Sequence, residues 1–368
     1  MAGKAFGKRV TGGATALAGA AALLLTGCST LLPQTPQPAQ PPASARPSDP
    51  EAPALSARAA AAQGSLKTMV ALQDRLSRVS APLLINNADL CRTQARNLLG
   101  FTAQNRYSYP GEYNEASVAV LGYGERLQVS SVLAGSGAAR AGLRKGDNLM
   151  AVEGKQLPGG PEAEVQAAEV LGPLVGSRAA LDVTIARTGN NQTLKVPVTR
   201  ACAIRVNLGN SDNINSYADG SRVLITRGMI NFAQSDEAIA FVMAKDIAHN
   251  VLGHPGAMRN SATVGSMIDN LVRAKPDLSL LIGGAGIKAV PADMDAAADS
   301  LALYMLARAG YNIDHAKPFW QRLASQYPAT VLNGYTAVHP GTAQRMAAID
   351  RTVAEIKAKL AAKKPLLP

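Results

Sequence analysis

The sequence predicts an α+β chain of several domains: a mainly helical unit interrupted by a smaller β-rich one. Apolar residues make up 47% of the 368 residues and aromatics only 4%, so real cores form and are built from Ala, Leu, Val and Ile. Apolar residues at helical spacing recur before residue 100 and after residue 235. Between these stretches, short apolar runs broken by Gly-containing turns read as strands. The length gives room for two or three domains. Three cysteines exclude a disulfide-dense scaffold and a four-cysteine zinc module. Any imidazole ligand must come from His249, His254, His315 or His339.

The N-terminus reads as an address. Lys4, Lys8 and Arg9 precede an apolar run over residues 14–25 that ends in Leu23-Leu24-Leu25. That run is too short to span a bilayer and suits a secretory signal. It closes on Leu25-Thr26-Gly27-Cys28, which resembles the lipobox of bacterial lipoproteins. The resemblance implies cleavage after residue 27 and lipidation of Cys28; the alternative is a plain signal with an incidental cysteine. Ser29, in place of Asp, implies sorting to the outer membrane, with the chain facing the periplasm. Without the signal, 34 basic residues against 26 acidic ones leave +8 of the original +11. In that compartment the excess suits anionic lipid head groups or plain solubility, and no nucleic-acid partner is expected.

From Pro33 to Pro53, eight of 21 residues are proline, a composition that extends as polyproline II and tethers stiffly. Residues 28–55 are therefore read as a linker and 56–100 as N-terminal helices. Met69, Leu72, Leu76 and Val79 give these helices an apolar face that packs on a later domain. With Cys28 lipidated, Cys91 and Cys202 remain as an even pair in an oxidising compartment. They form either a disulfide bracketing residues 92–201 or two separate buried thiols.

The bracketed segment carries strand-like Leu127-Gln128-Val129 and Ser131-Val132-Leu133. It continues with Gly135-Ser136-Gly137-Ala138-Ala139-Arg140-Ala141-Gly142-Leu143-Arg144-Lys145-Gly146-Asp147, then Leu149 to Gly154. A short helix ending at Ala-Gly-Leu, a Gly-Asp turn and a strand closing on Glu-Gly resemble the PDZ domains of bacterial envelope proteases. Residues 110–200 are assigned to this domain. A second helix is expected over 165–172 and closing strands over 181–198, with Asn190-Asn191 at the hairpin turn. The resemblance implies binding of an extended peptide, with Gly122, Gly124 and Leu127 as candidate peptide-binding residues; the alternative is a spacer.

Residues 201–360 form the last domain. Val223 to Thr226 read as a strand after an Asp219-Gly220 turn, and Ser235 caps a helix over 236–253. Apolar residues surround that helix, so it is buried, yet Lys245, Asp246 and His249 sit in its middle. A buried charge must be paired or bind metal. A second helix, from Ala292 to Arg308 and stopped by Gly310, places Asp295 and Asp299 on one face. Like charges at that spacing repel unless a cation lies near them. The candidates are a metal, Lys245 and Arg345.

Residues 202–350 resemble the gluzincin metallopeptidases of the HtpX and CAAX prenyl protease type, including periplasmic BepA-like members. The resemblance rests on Asn213 to Gly220, Ile225 to Met229, the helix at 236–253, Ala298 to Tyr304, Arg308 to Tyr311, and His339-Pro340 followed by Arg345. It implies a mainly helical zincin-like fold with HExxH on the first helix and ExxxD on the second. Two histidines and the second-helix Glu would hold zinc, and the first-helix Glu would activate water. Here those positions read Lys245-Asp246-Ile247-Ala248-His249 and Asp295-Ala296-Ala297-Ala298-Asp299. His249 and Asp295 remain as metal ligands, and Asp246 stands at the position of the base. A protonated lysine has no lone pair for a metal, and a shortened base is misplaced by about 1 Å, worth roughly 100-fold.

The sequence thus points to a pseudo-peptidase of the bacterial envelope without a cofactor, in which Lys245 reaches Asp295, Asp299 or Asp246 and replaces the zinc; the alternative for Lys245 is to reach water at a cleft edge. Its partners are a peptide or an envelope protein, and the membrane through the lipid anchor. The alternatives are an active zinc-dependent metalloendopeptidase of envelope quality control, with His254 or His339 recruited as ligand, and a purely structural lipoprotein. His339 either contacts bound peptide or makes a structural hydrogen bond. His254 is expected to cap its helix, His315 to be solvated, and Gly283 to Gly286 to form a flap or an ordinary loop.

Overall fold

A computed structural model describes residues 51–281, 288–329 and 334–368. Cys28, the signal segment and the glycine-rich stretch at 283–286 lie outside these residues. Helix α1 (Glu51–Ile85) opens the fold, so its first turn lies inside the range assigned to the linker. Its predicted face is buried: Leu76 and Val79 enter the main core and Met69 and Leu72 pack against it. Asn87 closes the helix end, donating from Nδ2 to the carbonyls of Leu83 and Met305 at 2.9 and 3.0 Å.

Strand β1 (Ala95–Leu98) leads out to the β-rich half and β8 (Thr199–Cys202) leads back. They pair antiparallel, with Ala95 opposite Cys202. Cys91 and Cys202 are joined by a disulfide at the foot of this two-stranded stalk. Between them lie β2 (Phe101–Gln104), α2 (Glu112–Leu121), β3 (Gln128–Val132), α3 (Gly137–Arg140) and β4 (Asn148–Val152). They are followed by β5 (Lys155–Gln156), α4 (Ala163–Ser177), β6 (Ala180–Arg187) and β7 (Asn190–Pro197).

The sheet order is β2-β3-β4-β6-β7, with β5 on β4. Alternating residues such as Val129, Leu149, Leu181, Val183 and Ile185 point inward and form a core separate from the helical one. The β6–β7 turn is Thr188-Gly189, both with positive φ, and not Asn190-Asn191, which already belong to β7. A two-residue hairpin turn of this hand requires positive φ at both central positions, and Gly189 supplies one without a Cβ penalty. Gly137 is fixed by packing: a Cβ there would lie 1.8 Å from the Pro197 carbonyl oxygen.

The chain then builds a small sheet ordered β10-β11-β9 from β9 (Arg205–Gly209), β10 (Ser216–Ala218) and β11 (Arg222–Thr226). Gly220, at φ +105°, turns β10 into β11. Helices α5 (Arg227–Ala233), α6 (Asp236–Val251), α7 (His254–Ala257) and α8 (Ser261–Leu271) follow. After them come α9 (Ala292–Arg308), α10 (Ala316–Gln326), α11 (Gly334–Val338) and α12 (Ala343–Ala361). Helix α6 is the buried centre, in contact with α1, α9 and α10. Among the described residues no helix is long and apolar enough to cross a membrane.

Candidate functional site

Helix α6 starts at Ser235, whose hydroxyl accepts from the Ala238 N–H, with Asp236 and Glu237 in its positive first turn. Its far end is held by Asn250. The Asn250 Oδ1 accepts from the Gly220 N–H at 2.6 Å, its Nδ2 donates to the Arg222 carbonyl, and its own carbonyl accepts from Gln94 Nε2. The β10–β11 turn and the root of the stalk thus fix the turn that carries His249. Helix α9 packs along α6 and ends at Gly310 (φ +84°), where the Tyr311 N–H returns to the Leu306 carbonyl. One-turn spacing then places Lys245 and His249 of α6 opposite Asp295 and Asp299 of α9.

Lys245 is fully buried, and Asp295, Asp299, His249 and Arg345 are each no more than 3% exposed. The Lys245 Nζ lies 2.7 Å from Asp295 Oδ1 and 3.3 Å from Asp299 Oδ1, without aligning a hydrogen bond to either. Arg345, in the first turn of α12, makes a two-pronged contact with Asp299: Nε donates to Oδ2 and Nη2 to Oδ1. Its Nη1 donates to the His339 carbonyl at 3.3 Å. Two basic side chains therefore face two carboxylates; burial and then Arg345 push Lys245 below its usual range, and Asp299 and Asp295 pull it back up.

Both cations also lie over the ring of Trp320, the chain's single tryptophan, Lys245 Nζ at 5.4 Å and Arg345 Cζ at 4.7 Å from its centroid. Such contacts favour a desolvated cation. Tyr335 stacks on Trp320 at 5.8 Å and abuts His339 at 4.9 Å.

Two imidazoles meet the same Asp295 oxygen that Lys245 meets. His339 Nδ1 lies 2.7 Å from Asp295 Oδ1 and His249 Nε2 lies 3.3 Å from the same oxygen. The His249 Nδ1 faces His254 Nδ1 at 2.9 Å. His254 is thus not a helix cap: α6 ends through the Leu252 N–H, and the αL residue Gly253 swings His254 back onto His249. Asp246, at the position of the base, is buried on the same helix, and its Oδ2 has no hydrogen-bond partner among the described residues. Lys245 is paired with Asp295 and Asp299 rather than with Asp246.

Burial governs the protonation states. It pushes His249 and His254 down to about 4, so both are neutral at pH 7. Burial pushes Asp246 up to about 7, against the pull of Lys245. Burial alone would also raise Asp295, but Lys245 and His339 outweigh it and hold that carboxyl well below the usual range.

The other predicted positions are not gathered here. His315 sits at the surface, where its Nδ1 meets Glu237 Oε1 at 2.6 Å. Leu127, expected to face a peptide, is 3% exposed in the core of the β-rich half: as the residue before β3 it points inward to meet Leu149 and Val183. Gly122 is the αL residue that ends α2, and the Gly124 carbonyl accepts from the Arg106 N–H. Both serve local backbone geometry. The sequence singles out neither Trp320 nor Tyr335, and it offers an inward His254 only as an alternative metal ligand. The one legible signal was the one-turn spacing of Tyr335 and His339.

Residues 193–353 match the family described as peptidase family M48. A putative beta-barrel assembly-enhancing protease of Vibrio cholerae is 30% identical over 136 residues, 31% of this chain and 27% of that protein. The mitochondrial metalloendopeptidase OMA1 of Schizosaccharomyces pombe is 23% identical over 146 residues, 38% of this chain and 43% of that protein. The chain thus spans less than half the length of these curated relatives.

M48 peptidases are zinc-dependent, and His249, Asp295 and His339 bring three ligand atoms within 4.8 Å of one another, a possible metal site. The donors suit a divalent cation in kind. The placement of charge does not: the oxygen that both imidazoles face is the one that the Lys245 ammonium meets at 2.7 Å. A metal there would meet a fixed positive charge in a buried, weakly screened setting.

Proposed function

We propose that this chain is a lipid-anchored pseudo-peptidase of the bacterial envelope, which holds polypeptide segments without cutting them. The observation that carries this reading is Lys245. Its ammonium, fully buried, lies between Asp295 and Asp299 and supplies the positive charge that a metal would bring to a peptidase of this kind. The M48 match covers residues 193–353, so the scaffold is in place while the ammonium replaces the Lewis acid. The envelope setting draws on the lipobox-like Cys28 and on the relative named for beta-barrel assembly.

The β-rich half acts as a PDZ-like module in this reading. The sheet order leaves β2 at an edge, where an extended peptide adds as a further strand. Phe101 and Ala103 on β2 and Leu171 and Leu174 on α4 are half-buried apolar groups on one core, and in this reading they receive side chains of the added peptide.

The test is incubation of the full chain with carboxymethylated casein, with added zinc or with a chelator. The polypeptide is retained and stays intact in both, and short peptides with a free C-terminus compete for it. Cleavage that the chelator abolishes would favour a second reading, an active zinc endopeptidase, which the grouping of His249, Asp295 and His339 supports.

A further inference from the structure

We infer that the end of α12 and the residues after it, 357–368, form a face that rests on the anionic phospholipid surface to which the chain is tethered. The inference rests on the reading that Cys28 carries a lipid anchor. It goes beyond that reading, because an acyl anchor selects the membrane and not the side of the protein that meets it.

Residues 357–368 hold four lysines and no acid, and the stretch is pinned from inside. Lys359 turns back over the ring of Tyr304, its Nζ 4.8 Å from the centroid. It donates to the Tyr304 hydroxyl at 2.7 Å and to the Leu367 carbonyl at 2.6 Å. Arg308 Nη1 donates to the Leu366 carbonyl, and the Leu366 side chain packs against the main core. The Lys364 N–H returns to the Lys359 carbonyl. With the backbone held this way, Lys363 and Lys364 are exposed between two outward leucines, Leu360 at 53% and Leu367 at 46% exposure.

The charge around them is otherwise balanced. Lys357 faces Asp314, Lys359 faces Glu355 and Arg308 faces Asp89. Lys363 and Lys364 have no acidic partner among the described residues. Unpaired ammonium groups beside exposed leucines match a surface of phosphates over acyl chains. A second copy meeting this face with its own would set lysines against lysines. The tether has the reach. Arg308 also holds the Asn86 carbonyl beyond the end of α1, so this face lies about 50 Å from the start of that 35-residue helix. The segment from Cys28 to Glu51 spans at most about 80 Å by covalent geometry.

The test is amide exchange of the full lipidated chain in two kinds of vesicle. One is phosphatidylglycerol and phosphatidylethanolamine in equal parts, the other phosphatidylcholine, and the mass of the chain reads its acyl groups. Exchange over residues 357–367 is slower in the anionic vesicles by about fivefold or more, since each basic side chain at such a surface contributes about a factor of five. The difference disappears at high salt and in Lys363→Glu/Lys364→Glu, and it shrinks in Leu360→Ser/Leu367→Ser. Lys155→Glu/Lys195→Glu, an equal change of charge on exposed lysines of the β-rich half, leaves it in place. Equal exchange in both vesicles, or a difference that the Lys155 and Lys195 changes remove as readily, would overturn the inference and leave the anchor standing. Protection in both vesicles that grows with protein concentration would place a second copy on this face and overturn it too. A chain whose mass carries no acyl group would overturn the anchor and the inference together.

Discussion

Each half of the molecule buries an acid beside an arginine, and the two cases differ in consequence. In the β-rich half, Asp147 is 2% exposed. It accepts from the Arg144 N–H, closing the Gly146-Asp147 turn, and is gripped by Arg187 through Nε and Nη2 at 2.6 Å each. Arg187 keeps a quarter of its side chain in water, so its charge remains solvated and the pair has a local task. In the helical half, Lys245, Asp295, Asp299 and Arg345 come from three different helices, and none reaches water. The same pairing therefore reads as turn structure in one place and as a closed, water-free charge group in the other, and burial makes the difference.

The largest expected effect concerns the link between the halves. Replacing both Cys91 and Cys202 by Ser frees a loop with a sequence separation of 111, and the chain-entropy account gives a loss of about 4–5 kcal/mol. Urea denaturation reads it, and an unchanged midpoint would mean that the stalk is held by packing alone. Next comes Lys245→Ala, which leaves Asp295 and Asp299 short of a cation and costs roughly 3–5 kcal/mol. Amide exchange should show that loss in α6 and α9 and spare the β-rich half; a wild-type melting temperature would remove the contrast between the two ion pairs. Gly137→Ala does the reverse. Its Cβ meets the Pro197 carbonyl, and overpacking of this kind costs about 1–3 kcal/mol, expected to weaken exchange protection in β7 and not in α6.

The smallest effect is a pH slope. His249 and His254, pushed down to about 4 by burial, stay neutral in the fold and take up protons on unfolding below about 6.5. Their contribution is full above that value and is lost as pH falls toward 4. Asp246, pushed up to about 7 by burial, works the other way: its contribution is full below the unfolded carboxyl value and is lost as pH rises through 7. Asp246→Asn removes this counterweight. Stability between pH 6.5 and 4 should then fall more steeply by about one proton, or ~1.4 kcal/mol per pH unit. Chemical denaturation at four pH values measures it, and equal slopes would mean that Asp246 is ionised in the fold.

How much was legible in the sequence follows the same contrast. Helix α9 runs over the expected residues, and α6 starts where Ser235 was expected to cap it, because caps, glycine stops and apolar spacing are local signals. The opposition of Lys245 and His249 to Asp295 and Asp299 was legible because one-turn spacing aligns each pair. The closing hairpin was misplaced because Asn190-Asn191 carries the stronger turn composition, while the observed turn puts Thr188 at positive φ, which that residue type adopts only under the pull of the register. The fate of Leu127 was missed because a residue bordering a strand faces the core or the groove according to a register that one sequence does not print. Trp320 and the return of His254 depend on contacts between elements far apart in the chain, and nothing local marks them.

The most direct measurement of the central claim is the zinc content of the unchanged full chain, produced in zinc-supplemented medium, purified without chelator and weighed by native mass spectrometry. The expected result is a folded chain with the mass of the polypeptide and its modifications alone. One tightly held zinc per chain would contradict it, because Asp295 would then be shared with a metal and Lys245 would have to lie elsewhere.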